Sequence, residues 1–163
     1  RRRHTRLRTV TGVQTCALPI CGLPELKNPA PSAVDLAVAR HIVPEIQDGA
    51  CLQIGIGGMA NTVCEMLAQA PVKDLGVHTE MFTNSLMTLA QTGKVTGTRK
   101  KTHRGLMTYS FAAGAAEMYR FLDRNRDCIA LPVDQTNLPH HILQNDNVVS
   151  ICNAVMVDLT GQV

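Results

Sequence analysis

Residues 51–81 open with Cys51-Leu52-Gln53-Ile54-Gly55-Ile56-Gly57-Gly58-Met59-Ala60, continue through Asn61 to Gln69, and end Asp74-Leu75-Gly76-Val77-His78-Thr79-Glu80-Met81. The first run is short, apolar and closed by glycine, which predicts a buried strand. Gly55, Gly57 and Gly58 let the backbone turn tightly and leave no Cβ between main chain and ligand. Val63, Met66 and Leu67 share a helical face. The spacing therefore predicts a helix that begins at the loop and aims its unsatisfied N–H groups at whatever binds there, an anion or a developing oxyanion. Leu75 to Thr79 predicts a second strand that delivers Glu80 to the carboxyl edge of the sheet, where open α/β folds hold ligands. Loop and carboxylate are expected in one site.

On the amino-terminal side, Cys21 to Pro31 is proline-rich and reads as an extended lead-in. Ser32 with Asp35 three residues later predicts a capped helix through Ala33, Leu36, Ala37, Arg40 and His41, disturbed at Pro44 and closed by Gln47-Asp48-Gly49. Beyond Glu80, a short helix is expected over 84–91, a strand over 105–111 and a helix over 113–122. Lys94 to Arg104 reads as a solvated loop, with phosphate contact by its cations as the alternative. Cys128 to Val133 predicts an edge strand ended by Pro132, and Asp134 to Asn137 a polar turn. A short helix is expected near Pro139, and strands at Val148–Cys152 and Val155–Leu159. The sum is an α/β fold, an open and mostly parallel sheet flanked by helices, truncated at its carboxyl end.

The first twenty residues are a separate matter. Val10 to Ile20, VTGVQTCALPI, translates a common short-read sequencing adapter, so residues 1–20 are set aside as non-native. A mitochondrial transit peptide is the rival reading, since Arg1, Arg2, Arg3, Arg6 and Arg8 occur there without an acid. The whole chain has 16 Lys+Arg and 13 Asp+Glu; without those five arginines the remaining 11 basic groups leave a net charge of −2. The apparent basicity therefore does not point to nucleic acid or membrane binding. No apolar run approaches the roughly twenty residues that span a bilayer. Of six cysteines, none forms a CxxC pair or zinc spacing. Cys51, Cys64, Cys128 and Cys152 read as buried thiols of a reducing, cytoplasmic setting. His140 and His141 are adjacent and point apart, so no metal is expected.

Two chemistries suit the glycine loop. Gly55 to Ala60 fits G-x-G-x-x-G/A, the dinucleotide fingerprint, with Asp74 or Glu80 near the place of the ribose-binding acid. Alternatively, Glu80 is a nucleophile that attacks an acyl thioester, with the loop amides stabilising the thioester oxygen. A lone Glu at a strand end is most often a plain surface acid.

Longer stretches favour the second chemistry. GIGGMANTV at 55–63, LGVHTEM at 75–81, KVTG at 94–97, HRG at 103–105, YRFLD at 119–123, PVDQTNLP at 132–139, QNDN at 144–147 and VDLTGQV at 157–163 occur in order. In these, residues 51–163 resemble the carboxyl-terminal half of the acetyl-CoA hydrolase/transferase family, especially its 4-hydroxybutyrate and butyryl-CoA:acetate CoA-transferases. The resemblance implies a CoA-transferase-like domain and makes Glu80 the catalytic glutamate that carries CoA as a covalent thioester. It makes Gly55, Ile56, Gly57, Gly58 and Met59 the loop that contacts coenzyme A, a substrate rather than a resident cofactor. Ala60 and Gln135 stand where relatives often have Pro and Tyr, and Asn153 follows the position of a family Asn. The implied partners are a short-chain acyl-CoA, a carboxylate such as acetate, and the missing amino-terminal domain; homo-oligomerisation stays open. Acetyl-CoA hydrolysis is the near alternative, and the piece alone is expected to be inactive.

Overall fold

The computed structural model describes residues 23–27 and 30–163, so the expectation for residues 1–20 lies outside the described residues. Helix α1 (Ala33–Ile42) starts at a reciprocal capping box: the Asp35 N–H donates to Ser32 Oγ at 3.1 Å and the Ser32 N–H to Asp35 Oδ2 at 2.9 Å. Pro44 tightens the exit into a 3-10 turn at Val43–Glu45. Strand β1 (Cys51–Ile54) leads through the glycine loop into helix α2 (Gly58–Gln69). There follow β2 (Gly76–Val77), β3 (Met81–Phe82), α3 (Asn84–Gln91), β4 (Met107–Tyr109), β5 (Phe111–Ala112), α4 (Ala116–Leu122), β6 (Cys128–Ala130), α5 (Val133–Asn137), α6 (Pro139–Ile142) and β7 (Val148–Ile151).

Every strand pair among the described residues is parallel. β1 lies between β2 and β7, a bridge from His78 to Thr108 carries the sheet on to β4, and β6 pairs with β4 as its edge. β3 and β5 extend the β2 and β4 tracks past Glu80. Leu52, Ile54, Leu75 and Val77 are fully buried, as strands covered on both faces require. α2 buries Ala60, Val63, Cys64 and Leu67 while packing on α1 and α3.

Several expectations are corrected. The polar segment before Pro139 is a short helix, α5, begun at Pro132, whose fixed φ suits a helix start. Residues 155–159 form no strand: Val155 and Leu159 are fully exposed, and among the described residues no strand lies beside them to supply hydrogen bonds. The strand over 105–111 is broken at Ser110. The 94–104 loop is not uniformly solvated, since Lys100 is 3% exposed. Cys51 and Cys64 are buried, which pushes their thiols up to about 11 and about 12, but Cys152 is exposed. The rings of His140 and His141 lie 4.1 Å apart rather than pointing away from each other.

Candidate active site

The parallel register sets Cys51 beside Gly76 and Leu52 beside Val77, and Thr79 Oγ1 reaches Ile54 O at 3.4 Å. Gly55 follows the end of β1, Glu80 comes three residues after the end of β2, and both line one cleft. The glycine loop and the carboxylate thus leave neighbouring strands at the same edge of the sheet. On the far side, the N–H groups of Ser110 and Phe111 both donate to the Glu80 carbonyl, at 2.8 and 3.1 Å. The two strands keep one register on either side of Glu80, His78 beside Thr108 and Met81 beside Phe111, so this shared carbonyl fixes the main chain that carries the Glu80 side chain. The Glu80 side chain is exposed and has no hydrogen-bond or ion-pair partner among the described residues.

Close approach explains the loop glycines. Gly57 has φ 118°, and a Cβ there would lie 2.3 Å from Asn153 Nδ2. Asn153 donates through that nitrogen to Ile56 O at 3.0 Å, so the segment after β7 clasps the loop. A Cβ on Gly58 would lie 2.9 Å from Asp35 Oδ2, so the α1 carboxylate faces the start of α2. An acid there complements the helix dipole, and α2 has no side-chain cap of its own.

A cleft of about 400 Å³ brings together Gly55, Ile56, Glu80, Met81, Gln53, Phe111, Cys152 and Asn153. Gly58 and Met59 instead face a separate depression with Val34, Asp35 and Val38. Gln53 was not foreseen as a site residue, though a polar side chain inside an otherwise apolar strand was the available signal. Its Oε1 accepts from the Ser150 hydroxyl and from Cys152 Sγ, the latter at 3.4 Å, leaving its N–H donors uncommitted among the described residues. A second cavity of about 210 Å³ shares Glu80 and Gln53 and lies against His78 and α5.

His78 is 5% exposed, and its Nε2–H donates to Thr136 O at 2.8 Å, because a carbonyl can only accept. Nδ1 is therefore the bare ring nitrogen, buried without a partner. Burial holds its pKa below the ordinary value, and nearby Lys100, His103 and His141 push the same way, against the Thr136 bond. His78 is a neutral tether for α5. Lys100 donates to Val77 O at 2.7 Å, Leu106 O at 2.6 Å and Thr108 Oγ1 at 2.9 Å beneath this region. Among the described residues no three His, Cys, Asp or Glu side chains cluster as a metal site.

Asp74 precedes β2, so it lies at the opposite edge of the sheet from the glycine loop, where Arg99 holds it at 3.1 Å. It is not placed to meet a ribose bound at that loop, and Glu80 is the acid beside it.

Residues 114–163 match the acetyl-CoA hydrolase/transferase C-terminal domain. The butyryl-CoA:acetate CoA-transferase of Anaerostipes caccae is 49% identical over 134 residues, which cover 82% of this chain and 30% of that protein. The chain belongs to the acetyl-CoA hydrolase/transferase family. Among solved structures, RipA from Yersinia pestis superposes with a TM-score of 0.82 at 40% identity, over 86% of this chain and 32% of that one. The 4-hydroxybutyrate CoA-transferase from Porphyromonas gingivalis gives 0.70 at 35% identity, over 76% and 32%. The chain thus spans about 30% of the length of the curated acetyl-CoA hydrolase/transferase relatives it matches first.

Proposed function

We propose that this chain is part of a CoA-transferase that moves coenzyme A between a short-chain acyl-CoA, butyryl- or 4-hydroxybutyryl-CoA, and a carboxylate such as acetate. The observation that carries the reading is the uncommitted Glu80 carboxylate, lining the Gln53 cleft together with Gly55 and Ile56 of the glycine loop. A carboxylate oxygen of Glu80 attacks the thioester carbonyl and CoA thiolate leaves, giving a mixed anhydride. The thiolate then attacks the glutamyl carbonyl, expelling the first carboxylate and leaving CoA as a thioester on Glu80. The acceptor carboxylate repeats the two steps in reverse. Glu80 needs no base for this, which agrees with His78 being neutral and committed to Thr136. Uncommitted amide donors on Gln53, together with the loop N–H groups, are the groups that would meet the oxyanion. Binding energy from the CoA tail, remote from the reaction, would be drawn on at the carbonyl.

The reading is tested on the complete reading frame that contains this chain. Incubated with butyryl-CoA and no acceptor, it should carry a covalent CoA adduct on the peptide containing Glu80, located by mass spectrometry, and acetate should discharge it. Discharge by water at the same rate would make it a hydrolase. A folded protein with no adduct on Glu80 rejects the reading.

A further inference from the structure

Glu80 and Gln53 line two cavities rather than one. We propose that the smaller, lying between His78, Thr136, Ile142 and Val148, is the acyl subsite, and that Ile142 and Val148 limit the length of a straight-chain monocarboxylic acyl group. The proposal rests on Glu80 being the nucleophile.

A thioester carbonyl carbon has two arms, one through sulfur to the CoA tail and one into the acyl chain. A nucleophile that meets such a carbon needs room on both sides of itself, and the two cavities supply it. Volume assigns the arms. At about 210 Å³ the smaller cavity falls below the roughly 300–1,000 Å³ of sites that take drug-sized ligands. A pantetheine and nucleotide do not fit it, and a short acyl chain does. The larger cleft, about 400 Å³ and flanked by the glycine loop, is left for the sulfur arm.

Chemistry points the same way. Ile142 and Val148 are the apolar side chains lining the small cavity, Asn137 and Ser150 line it too, and no Lys or Arg does. His78, the one basic group on the wall, is held neutral by burial. A second carboxylate at the far end of the acyl chain would find no cation there to pair with and would lie close to the Glu80 carboxylate.

The wall is also fixed at both ends. His78 ties Thr136 to the sheet at 2.8 Å. After α6, Asn145 Oδ1 accepts from the N–H groups of Lys101 and Thr102 at 3.1 and 3.2 Å, and its amide donates to Thr102 Oγ1 at 2.9 Å. Ile142 therefore sits on a segment pinned on either side, which suits a residue that measures length.

The experiment uses the complete protein and compares kcat/KM for propionyl-, butyryl-, hexanoyl- and succinyl-CoA. Ile142→Ala and Val148→Ala should each raise the hexanoyl-to-butyryl ratio about tenfold, and Ile142→Phe should shift preference towards propionyl by a similar factor. Phe111→Ala, on the larger cleft, should alter KM for all acyl-CoAs alike. Succinyl-CoA should be a poor donor throughout. Unchanged ratios in the Ile142 and Val148 variants, with the Glu80 adduct still forming, overturn the subsite alone. A ratio that moves with Phe111 and not with Ile142 overturns the assignment of the two arms. Absence of any adduct in the wild type removes the nucleophile on which the proposal rests.

Discussion

Glu80 and Lys100 both meet the strand track that runs from β2 to β3, and the two charges are treated in opposite ways. Lys100 is 3% exposed and gives its three donors to Val77 O, Leu106 O and Thr108 Oγ1. Three residues after Val77, Glu80 is exposed and gives its carboxylate to nothing among the described residues. Among the described residues the ammonium has no acid within ion-pair reach, yet each of its protons has an oxygen. Burial of a charge is tolerated on that condition. The lesson is a division of labour: a fully committed charge holds the strand, so that an uncommitted one can be presented at a fixed place.

The largest effect is expected at the uncommitted end. Glu80→Gln should lower transferase turnover by on the order of 10⁴-fold and abolish the adduct, because the amide is no nucleophile. Its stability should move by less than about 0.5 kcal/mol, the usual span for a surface change. Retained turnover would break the comparison at its functional half.

Lys100→Met should do the reverse, with loss of folding rather than of chemistry alone. Removing the ammonium leaves three oxygens without donors, and a cost of about 3 kcal/mol or more is expected in urea unfolding. A pH series sharpens this. Burial pushes Lys100 down to about 8 from its ordinary 10.5. Between those values the unfolded chain binds the extra proton, so the stability contributed by Lys100 rises with pH across that window. The Met variant should lose that rise.

His78 stands between the two, buried but with only one ring nitrogen satisfied. His78→Leu should cost about 1 kcal/mol at neutral pH through the Thr136 carbonyl. Because burial lowers the folded pKa below 6.5, the unfolded chain takes up the proton first as pH falls. The wild type should therefore lose stability from about pH 6.5 downward, and the Leu variant should show a flatter acid limb.

Much of the architecture was legible because local rules act over a few residues. Ser32 and Asp35 announced the capping box, Gly93 with φ 76° ended α3, and Pro132 marked β6 as an edge. Cys51-Leu52-Gln53-Ile54 read as a buried strand because parallel strands are apolar throughout. The failures came where distant residues decided. Val155 to Leu159 has the composition of a strand but no neighbour among the described residues, and Lys100 looks like any loop lysine until three oxygens from other segments surround it.

What the sequence determined by itself is the strand, glycine loop and helix, the parallel α/β class, and the nomination of Glu80 beside Gly55. These depend on periodicity and on backbone freedom, both properties of short segments. Only the tertiary structure decided that Ser110 and Phe111 share the Glu80 carbonyl, that Asn153 clasps Ile56, and that Glu80 and Gln53 face two cavities. Those depend on register between strands far apart in the chain, and register is set by the packing of the whole sheet.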